Sequence, residues 1–230
     1  MNSRDYNALD HLIMGFEKVK GVASGDSLPD WIPACAGMTK GDAGMTNEDK
    51  GMTREDDGIT KDADRVRSAA LMRVNHAGEV AAQALYAGHA VAARDARVRD
   101  AMLQAAAEEG EHLDWCETRV RELDSHVSYL TPLWYFGSFA IGAATGAAGD
   151  KWSLGFVMET ERQVVEHLDR HLELLPEQDR RSRSILQQMR RDEMQHASVA
   201  RDAGGAELPL PLRALMRCCS KVMTGTAYWV

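Results

Sequence analysis

The stretch that decides the fold runs from residue 102 to residue 113 and reads Met-Leu-Gln-Ala-Ala-Ala-Glu-Glu-Gly-Glu-His-Leu. Its apolar residues recur at the spacing of an amphipathic helix, which the pattern extends over 97–124. Glu109 lies in the middle of the apolar face, and His112 leaves the same side because it is three residues further on. A carboxylate on a core-facing surface is costly unless it is paired or bound to a metal. The stretch therefore predicts a helix that points a Glu-x-x-His pair into the core.

Three more predicted helices carry an acid on their apolar face. They are 62–95 with Glu79, 152–175 with Glu161, and 178–203 with Glu193 followed by His196. A lone glutamate thus precedes a Glu-x-x-His pair twice, with gaps of 30 residues (109 − 79) and 32 residues (193 − 161). One such pair arises by chance in many helical proteins, but two copies at matched spacing are much harder to explain in that way. The doubled unit is typical of the carboxylate-bridged di-iron or di-manganese centres of ferritin-like four-helix bundles.

The candidate ligand set has six members, which are Glu79, Glu109, His112, Glu161, Glu193 and His196. Four carboxylates offset most of the charge of two divalent cations, and oxygen ligands with one imidazole per ion suit iron or manganese. The absence of cysteine from the set argues against a structural zinc site. We expect Glu109 and Glu193 to bridge two iron ions, and Glu79 and Glu161 each to bind one of them.

Other polar residues near the set have two readings each. Glu108 and Asp192, which precede the two Glu-x-x-His pairs, either orient the histidine rings or face solvent. His76 and Tyr86, one turn before and two turns after Glu79, either support the ligands or are ordinary hydrogen-bonded core residues. Outward-facing positions are predicted for two further histidines, His167 and His171.

Composition and charge narrow the function classes. The chain of 230 residues has a formal net charge of −8, which argues against a general nucleic-acid-binding surface. Its four cysteines have no C-x-x-C spacing, and the first residues lack the pattern of a secretory signal or transit peptide. We therefore expect reduced thiols in a protein that faces the cytosol. No segment is typical of a strand, and further helices are predicted over 130–148 and 209–225, so the fold class is all-α.

The chain divides into three predicted parts. Residues 1–20 contain a short amphipathic helix from residue 7 onwards. Residues 21–61 repeat Gly-Met-Thr or Gly-Ile-Thr four times at a period of seven, and they predict a flexible low-complexity linker because so few apolar residues cannot form a core. Residues 62–230 form the predicted helical domain.

Residues 71–79, Leu-Met-Arg-Val-Asn-His-Ala-Gly-Glu, resemble the opening of the demethoxyubiquinone hydroxylase family, the di-iron monooxygenases of ubiquinone biosynthesis. Further segments similar to its bacterial members are 132–135, 149–152, 159–164 and 192–196. The resemblance covers residues 62–230 and the N-terminal helix, whereas the repeats of 21–61 are foreign to the family.

This resemblance implies a reaction. The family uses O2 to hydroxylate 2-polyprenyl-3-methyl-6-methoxy-1,4-benzoquinol, or demethoxyubiquinol, at two ferrous ions held by the six residues named above. It implies no catalytic residue beyond these ligands, and the quinol itself can supply the electrons, in keeping with the lack of a flavin or nicotinamide fingerprint. The alternative is a ferritin-like iron-binding or storage protein without an organic substrate. An inactive lipid-binding helper protein is disfavoured because all six residues are present.

Two segments suggest a membrane partner for this lipid-soluble substrate. Residues 129–149 are uncharged and include Gly142-x-x-x-Gly146, and helix 209–225 places basic residues beside an apolar face. Both predict extra membrane-associating helices, in a peripheral protein on the cytoplasmic face of the bacterial inner membrane. The alternative is that they pack on the bundle or on another copy of the chain. A homo-oligomer or another ubiquinone-biosynthesis protein is a further expected partner.

Overall fold

The computed structural model describes residue 59 and residues 61–230, and in this part of the chain it contains six α-helices and no strand. The helices are α1 (Asp62–Ala92), α2 (Ala96–Glu122), α3 (Thr131–Ala147), α4 (Asp150–Leu174), α5 (Arg180–Asp202) and α6 (Leu210–Ala227). Each predicted helix of this region forms, with both ends within three residues of the predicted ones. The all-α class is therefore confirmed for residues 61–230.

The predicted N-terminal helix, 1–20, and nearly all of the predicted linker, 21–61, lie outside the described residues. Ile59 is an exception, because it is buried in a core cluster that includes Leu71 and Leu123. The packed part of the chain therefore includes this apolar residue of the last Gly-Ile-Thr repeat.

Local chemistry sets the helix ends. α2 begins after Asp95, whose carboxylate accepts a hydrogen bond from Arg97 N at 2.8 Å. α5 begins after Asp179, which accepts one from Ser182 N at 2.9 Å. Both are side-chain caps that satisfy free backbone N–H groups of the first turn. Gly149 separates α3 from α4 with a φ of +117°, a conformation that other residues rarely adopt.

Two antiparallel hairpins, α1–α2 and α4–α5, form the bundle, so that α1 and α5 run one way and α2 and α4 the other. Their shared core contains two main clusters. We call one the large-residue end, and its buried members include Met72, Cys116, Leu168, Leu186 and Met189. We call the other the alanine-rich end, and its buried members are Ala82, Tyr86, Ala90, Met102, Leu154, Val157 and Ala200.

Helix α3 packs alongside α1 in very close contact. A Cβ atom added to Gly142 would lie 2.1 Å from the carbonyl oxygen of Leu85, and one added to Gly88 would lie 2.3 Å from that of Phe139. A Cβ on Gly146 would lie 2.8 Å from the side chain of Ala92. The Gly142-x-x-x-Gly146 face therefore packs on α1, in agreement with the alternative given for this segment. Other side chains of α3 are exposed.

Helix α6 lies on the bundle through both apolar and charged contacts. Leu212 and Met216 pack against a cluster formed by Leu85, Phe156 and Leu208. Arg213 Nε lies 3.2 Å from the buried carboxylate of Glu159, and Arg217 Nη2 lies 3.6 Å from Glu166. Arg213 and Arg217, two of the basic residues expected at a membrane surface, thus pair with α4. Among the described residues, no helix is both long and apolar enough to cross a membrane.

Candidate metal centre

The four bundle helices bring all six predicted residues together between the two ends of the core. Ligand atoms of one group all lie within 4.8 Å of one another, and this group is Glu79, Glu109, His112 and Glu193. A second group meets the same limit and consists of Glu161, Glu193 and His196. The helical faces predicted for these residues are correct, and their role as metal ligands remains a prediction.

Two carboxylates connect the two histidines. Glu109 places Oε2 3.3 Å from His112 Nδ1 and Oε1 3.5 Å from His196 Nδ1. Glu193 places Oε1 3.1 Å from His112 Nδ1 and Oε2 3.0 Å from His196 Nδ1. Each carboxylate thus offers one oxygen to either half of the site, as the predicted bridging role requires. Glu79 lies on the His112 side, with Oε2 3.7 Å from His112 Nδ1.

The acids that precede the Glu-x-x-His pairs exchange partners between helices. Asp192 Oδ2 on α5 lies 3.1 Å from His112 Nε2 on α2. Glu108 Oε2 on α2 lies 2.7 Å from His196 Nε2 on α5. Each imidazole therefore directs Nδ1 to the carboxylate cluster and Nε2 to an acid of the opposite helix. Of the two readings left open for Glu108 and Asp192, the orienting one describes this structure.

A glutamine extends each of these contacts, and sequence reasoning missed it. Gln104 Nε2 donates to Glu108 Oε1 at 2.9 Å, and Gln188 Nε2 donates to Asp192 Oδ1 at 2.8 Å. Both helices therefore repeat the longer pattern Gln-x-x-x-acid-Glu-x-x-His. Comparing the two segments residue by residue would have found the glutamines.

Burial controls the ionisation of the lone glutamates. It raises the pKa of Glu79 well above its ordinary value, and the nearby charges of Glu109 and Glu193 add to this effect. Burial likewise raises the pKa of Glu161, and the charge of Glu193 raises it further. Without a cation, these two carboxyl groups therefore favour the protonated form.

The histidines respond in the opposite direction. Burial alone would lower the pKa of His112, but its contacts with Asp192 and Glu109 raise it well above the ordinary value. The same balance raises the pKa of His196, mainly through Glu108 and Glu109. In turn, the neighbouring His112 and His196 lower the pKa of Glu109 despite its burial. In the metal-free site, the protonated imidazoles thus supply the positive charge that metal ions would otherwise supply.

The donor set fits two metal ions. Glu161 Oε1 and Glu109 Oε1 are buried and make no hydrogen bond, and Glu193 Oε1 is not aligned for one despite its short distance to His112. Buried carboxylate oxygens without hydrogen-bond partners are costly, and a bound cation would satisfy them. Oxygen donors with one imidazole on each side are the chemistry preferred by iron and manganese.

Three further polar residues for which the sequence analysis made predictions, His76, Tyr86 and His171, are buried inside the bundle. His76 and Tyr86 are fully buried, and neither makes a hydrogen bond through its side chain. They therefore neither support the candidate ligands through a hydrogen bond nor form ordinary hydrogen bonds within the core. The outward position predicted for His171 is also wrong. It is buried because it shares a face of α4 with the buried Leu168, and burial lowers its pKa to about 2. His167 is half-buried, with its ring 3.8 Å from that of His171.

Comparison with known proteins identifies the family. The family model of the ubiquinone biosynthesis protein COQ7 matches residues 66–227, which include all four ligand-bearing helices and α3. The chain belongs to the COQ7 family. Similar COQ7-family relatives named 3-demethoxyubiquinol 3-hydroxylase occur in Nitrosococcus oceani, with 63% identity over 163 residues, and in Chromobacterium violaceum, with 61% identity over 160 residues. These matches cover 71% and 70% of this chain and 76% and 78% of the respective relatives.

Proposed function

We propose that this chain is a 3-demethoxyubiquinol 3-hydroxylase that uses two iron ions and O2. The observation that carries the proposal is the convergence of Glu79, Glu109, His112, Glu161, Glu193 and His196 in a chain about 60% identical to hydroxylases of that name. The substrate is demethoxyubiquinol, and residues 62–230 form a ferritin-like hydroxylase domain. The storage-protein alternative has no comparable support.

In this proposal His112 and Glu79 would hold one ion, His196 and Glu161 would hold the other, and Glu109 and Glu193 would contribute an oxygen to each. The ions supply, when bound, the one-electron chemistry that O2 activation requires. Overall, a ring C–H bond becomes C–OH and the second oxygen atom leaves as water. When the quinol itself supplies the two electrons, it ends as the hydroxylated quinone, so that atoms and electrons balance.

The chain's own residues prepare the site for this reaction. The exchanged contacts of Glu108 and Asp192 hold each Nε2 against an acid of the opposite helix, which would leave each Nδ1 to bind a cation once its proton is lost. The buried large-residue end excludes water from one side of the centre. The His196 side is the more accessible one, since 14% of its side chain is exposed against 3% for His112.

We also propose peripheral attachment to the cytoplasmic face of the bacterial inner membrane. Support comes from exposed apolar side chains on the outer faces of α3 and α6, which are Leu133, Phe136, Ile141, Leu215 and Val222. Such side chains suit the boundary between lipid headgroups and acyl chains, where a polyprenylated substrate is available. Lys221, which is exposed on α6, suits an anionic membrane surface.

Mass spectrometry of quinones in cells that lack this protein tests the function. We expect the demethoxy precursor to accumulate and the wild-type gene to restore ubiquinone. The Glu193→Ala variant should fail to restore it, whereas Glu111→Ala, which changes an exposed glutamate of α2, should succeed. Normal ubiquinone content in cells without the protein would contradict the proposal.

A further inference from the structure

The two ends of the core differ in the side chains that lie between their outer residues and the candidate metal centre. Seven residues away from each core-facing glutamate, the large-residue end contains Met72, Cys116, Leu168 and Leu186. At the same distance in the other direction, the alanine-rich end contains Tyr86, Met102, Leu154 and Ala200. Ala82, Ala105 and Ala106 lie between these residues and the centre.

Tyr86 is the unusual member of the alanine-rich end. Its side chain is fully buried, yet its hydroxyl group has no hydrogen-bond partner. A buried hydroxyl without a partner costs about 1–3 kcal/mol in folded proteins. Gln83, one turn nearer the centre, is already occupied because its Nε2 donates to Ala106 O at 3.3 Å. Tyr86 is thus a hydrogen-bond donor without a partner among apolar side chains, several of them alanines.

The position of Tyr86 relative to the centre suits a substrate ring. Tyr86 and Glu79 share the inner face of α1 and are seven residues apart, which is about 10 Å along the helix axis. The side chains between them on α1 and α2 are mainly alanines, so this is where the core can admit a flat ring with least displacement. In the opposite direction the fully buried Met189 lies one turn from Glu193 and occupies the core there.

We propose that the quinol ring binds between the carboxylate–histidine cluster and Tyr86, and that the Tyr86 hydroxyl donates a hydrogen bond to a ring oxygen. This inference rests on the proposed hydroxylase function. It makes Tyr86 a catalytic residue in the sense of direct contact with substrate, and it assigns the alanines beside it the role of admitting the ring. One hydroxyl then both satisfies its own hydrogen-bonding capacity and fixes which ring position faces the centre.

Binding of a quinone to the metal-free protein tests this directly. The probe is the oxidised demethoxyubiquinone with a short prenyl tail, whose carbonyl oxygens also accept hydrogen bonds. Quenching of tryptophan fluorescence reports binding, and Trp115 lies beside the centre with its ring 5.2 Å from that of His112. Tyr86→Phe should raise the Kd about fivefold, the value of one ordinary hydrogen bond. In the iron-loaded protein it should raise KM and increase the share of wrongly placed hydroxyl groups.

The matched control is Tyr135→Phe. Tyr135 is equally buried, but it lies on α3 against Val80, Ala84 and Leu113, outside the bundle interior. This variant should bind the quinone as the wild type does. Ala106 is half-buried and packs against the cluster that contains Tyr86. Ala106→Leu should fill the space for the ring and abolish quinone binding without unfolding the protein.

The outcomes separate this inference from the function on which it rests. A wild-type protein that neither binds nor hydroxylates the quinol would overturn the proposed function. A wild-type protein that does both, together with unchanged Kd and KM in Tyr86→Phe and Ala106→Leu, would overturn only the assigned ring position. Equal losses of quinone affinity in Tyr86→Phe and Tyr135→Phe would also overturn the assigned ring position.

Discussion

Glu108 on α2 and His196 on α5 are joined across the bundle by a 2.7 Å contact between Oε2 and Nε2. Asp192 and His112 make the reciprocal contact at 3.1 Å. Each Glu-x-x-His helix therefore orients the histidine of the other one, so the two halves of the site depend on each other.

Removal of either acid should weaken metal binding. Glu108→Ala and Asp192→Ala leave all six candidate ligands in place but free the histidine rings to turn. We expect the affinity for Fe2+, measured by competition with a chelator, to fall by about 10–100-fold. Glu111→Ala, at an exposed position on the same helix as Glu108, is the control and should keep the wild-type affinity. Equal affinities in all three variants would show that the exchanged contacts have no role.

The shared carboxylate should matter more than the terminal one. Glu193 belongs to both groups of candidate ligands, whereas Glu161 belongs to one. Glu193→Ala should therefore lose both iron ions and all hydroxylation, while Glu161→Ala should retain about one ion per chain because only one group loses a ligand. Iron analysis of the purified variants measures this. Two ions per chain in Glu193→Ala would exclude the bridging assignment.

The placement of the candidate ligands on the inner faces of their helices was predictable from sequence because it depends on helical periodicity. Glu79, Glu109, Glu161 and Glu193 each lie on an apolar face at a fixed spacing, and burial follows from that face. The exchange of Glu108 and Asp192 between helices was not predictable, since each acid precedes one histidine by four residues but contacts the other histidine in space. Only the crossing of α2 and α5 decides between them.

The same limit applies to the two segments that were expected at a membrane. Uncharged residues rich in glycine suit both lipid and close helix packing, and Gly142 does the second because Leu85 O approaches where a side chain would lie. Arg213 resembles a basic residue at a membrane surface until α6 is placed beside Glu159. In both cases the partner lies on another helix, far away in the sequence.

A buried histidine away from the site gives the metal-free protein a defined acid sensitivity. Burial lowers the pKa of His89 to about 4 from 6.5, and its Nδ1 lies 2.6 Å from Ser153 Oγ. Below pH 6.5 the unfolded chain binds a proton that folded His89 rejects until about pH 4, so the free energy of unfolding falls as the pH drops through this window. The full effect is about 3 kcal/mol.

Urea unfolding of the metal-free protein at pH 7 and pH 5 measures this contribution. His89→Gln should reduce the loss of stability between the two pH values, because the amide does not titrate. His126→Gln, at an exposed position in the loop before α3, should leave the loss unchanged. The same pH dependence in His89→Gln and wild type would contradict the assignment.

The outer face of α3 should bind membranes. Phe136 and Ile141 are exposed there, and charged groups at these positions would oppose insertion beside the acyl chains. The double variant Phe136→Glu, Ile141→Glu should lose flotation with phosphatidylethanolamine–phosphatidylglycerol vesicles while its Tm stays close to that of the wild type. Val66→Glu changes an exposed apolar residue at the start of α1 and should still float. Flotation of the double variant at the wild-type level would place membrane contact elsewhere.

Isotope labelling tests the hydroxylase account most directly. Protein loaded with two iron ions per chain is given demethoxyubiquinol and 18O2, and the product is analysed by mass spectrometry. We predict one hydroxyl group per product molecule, with its oxygen derived from 18O2, and no product from Glu193→Ala. A fully iron-loaded protein that consumes O2 without forming this product, or a product whose oxygen comes from water, would contradict the account.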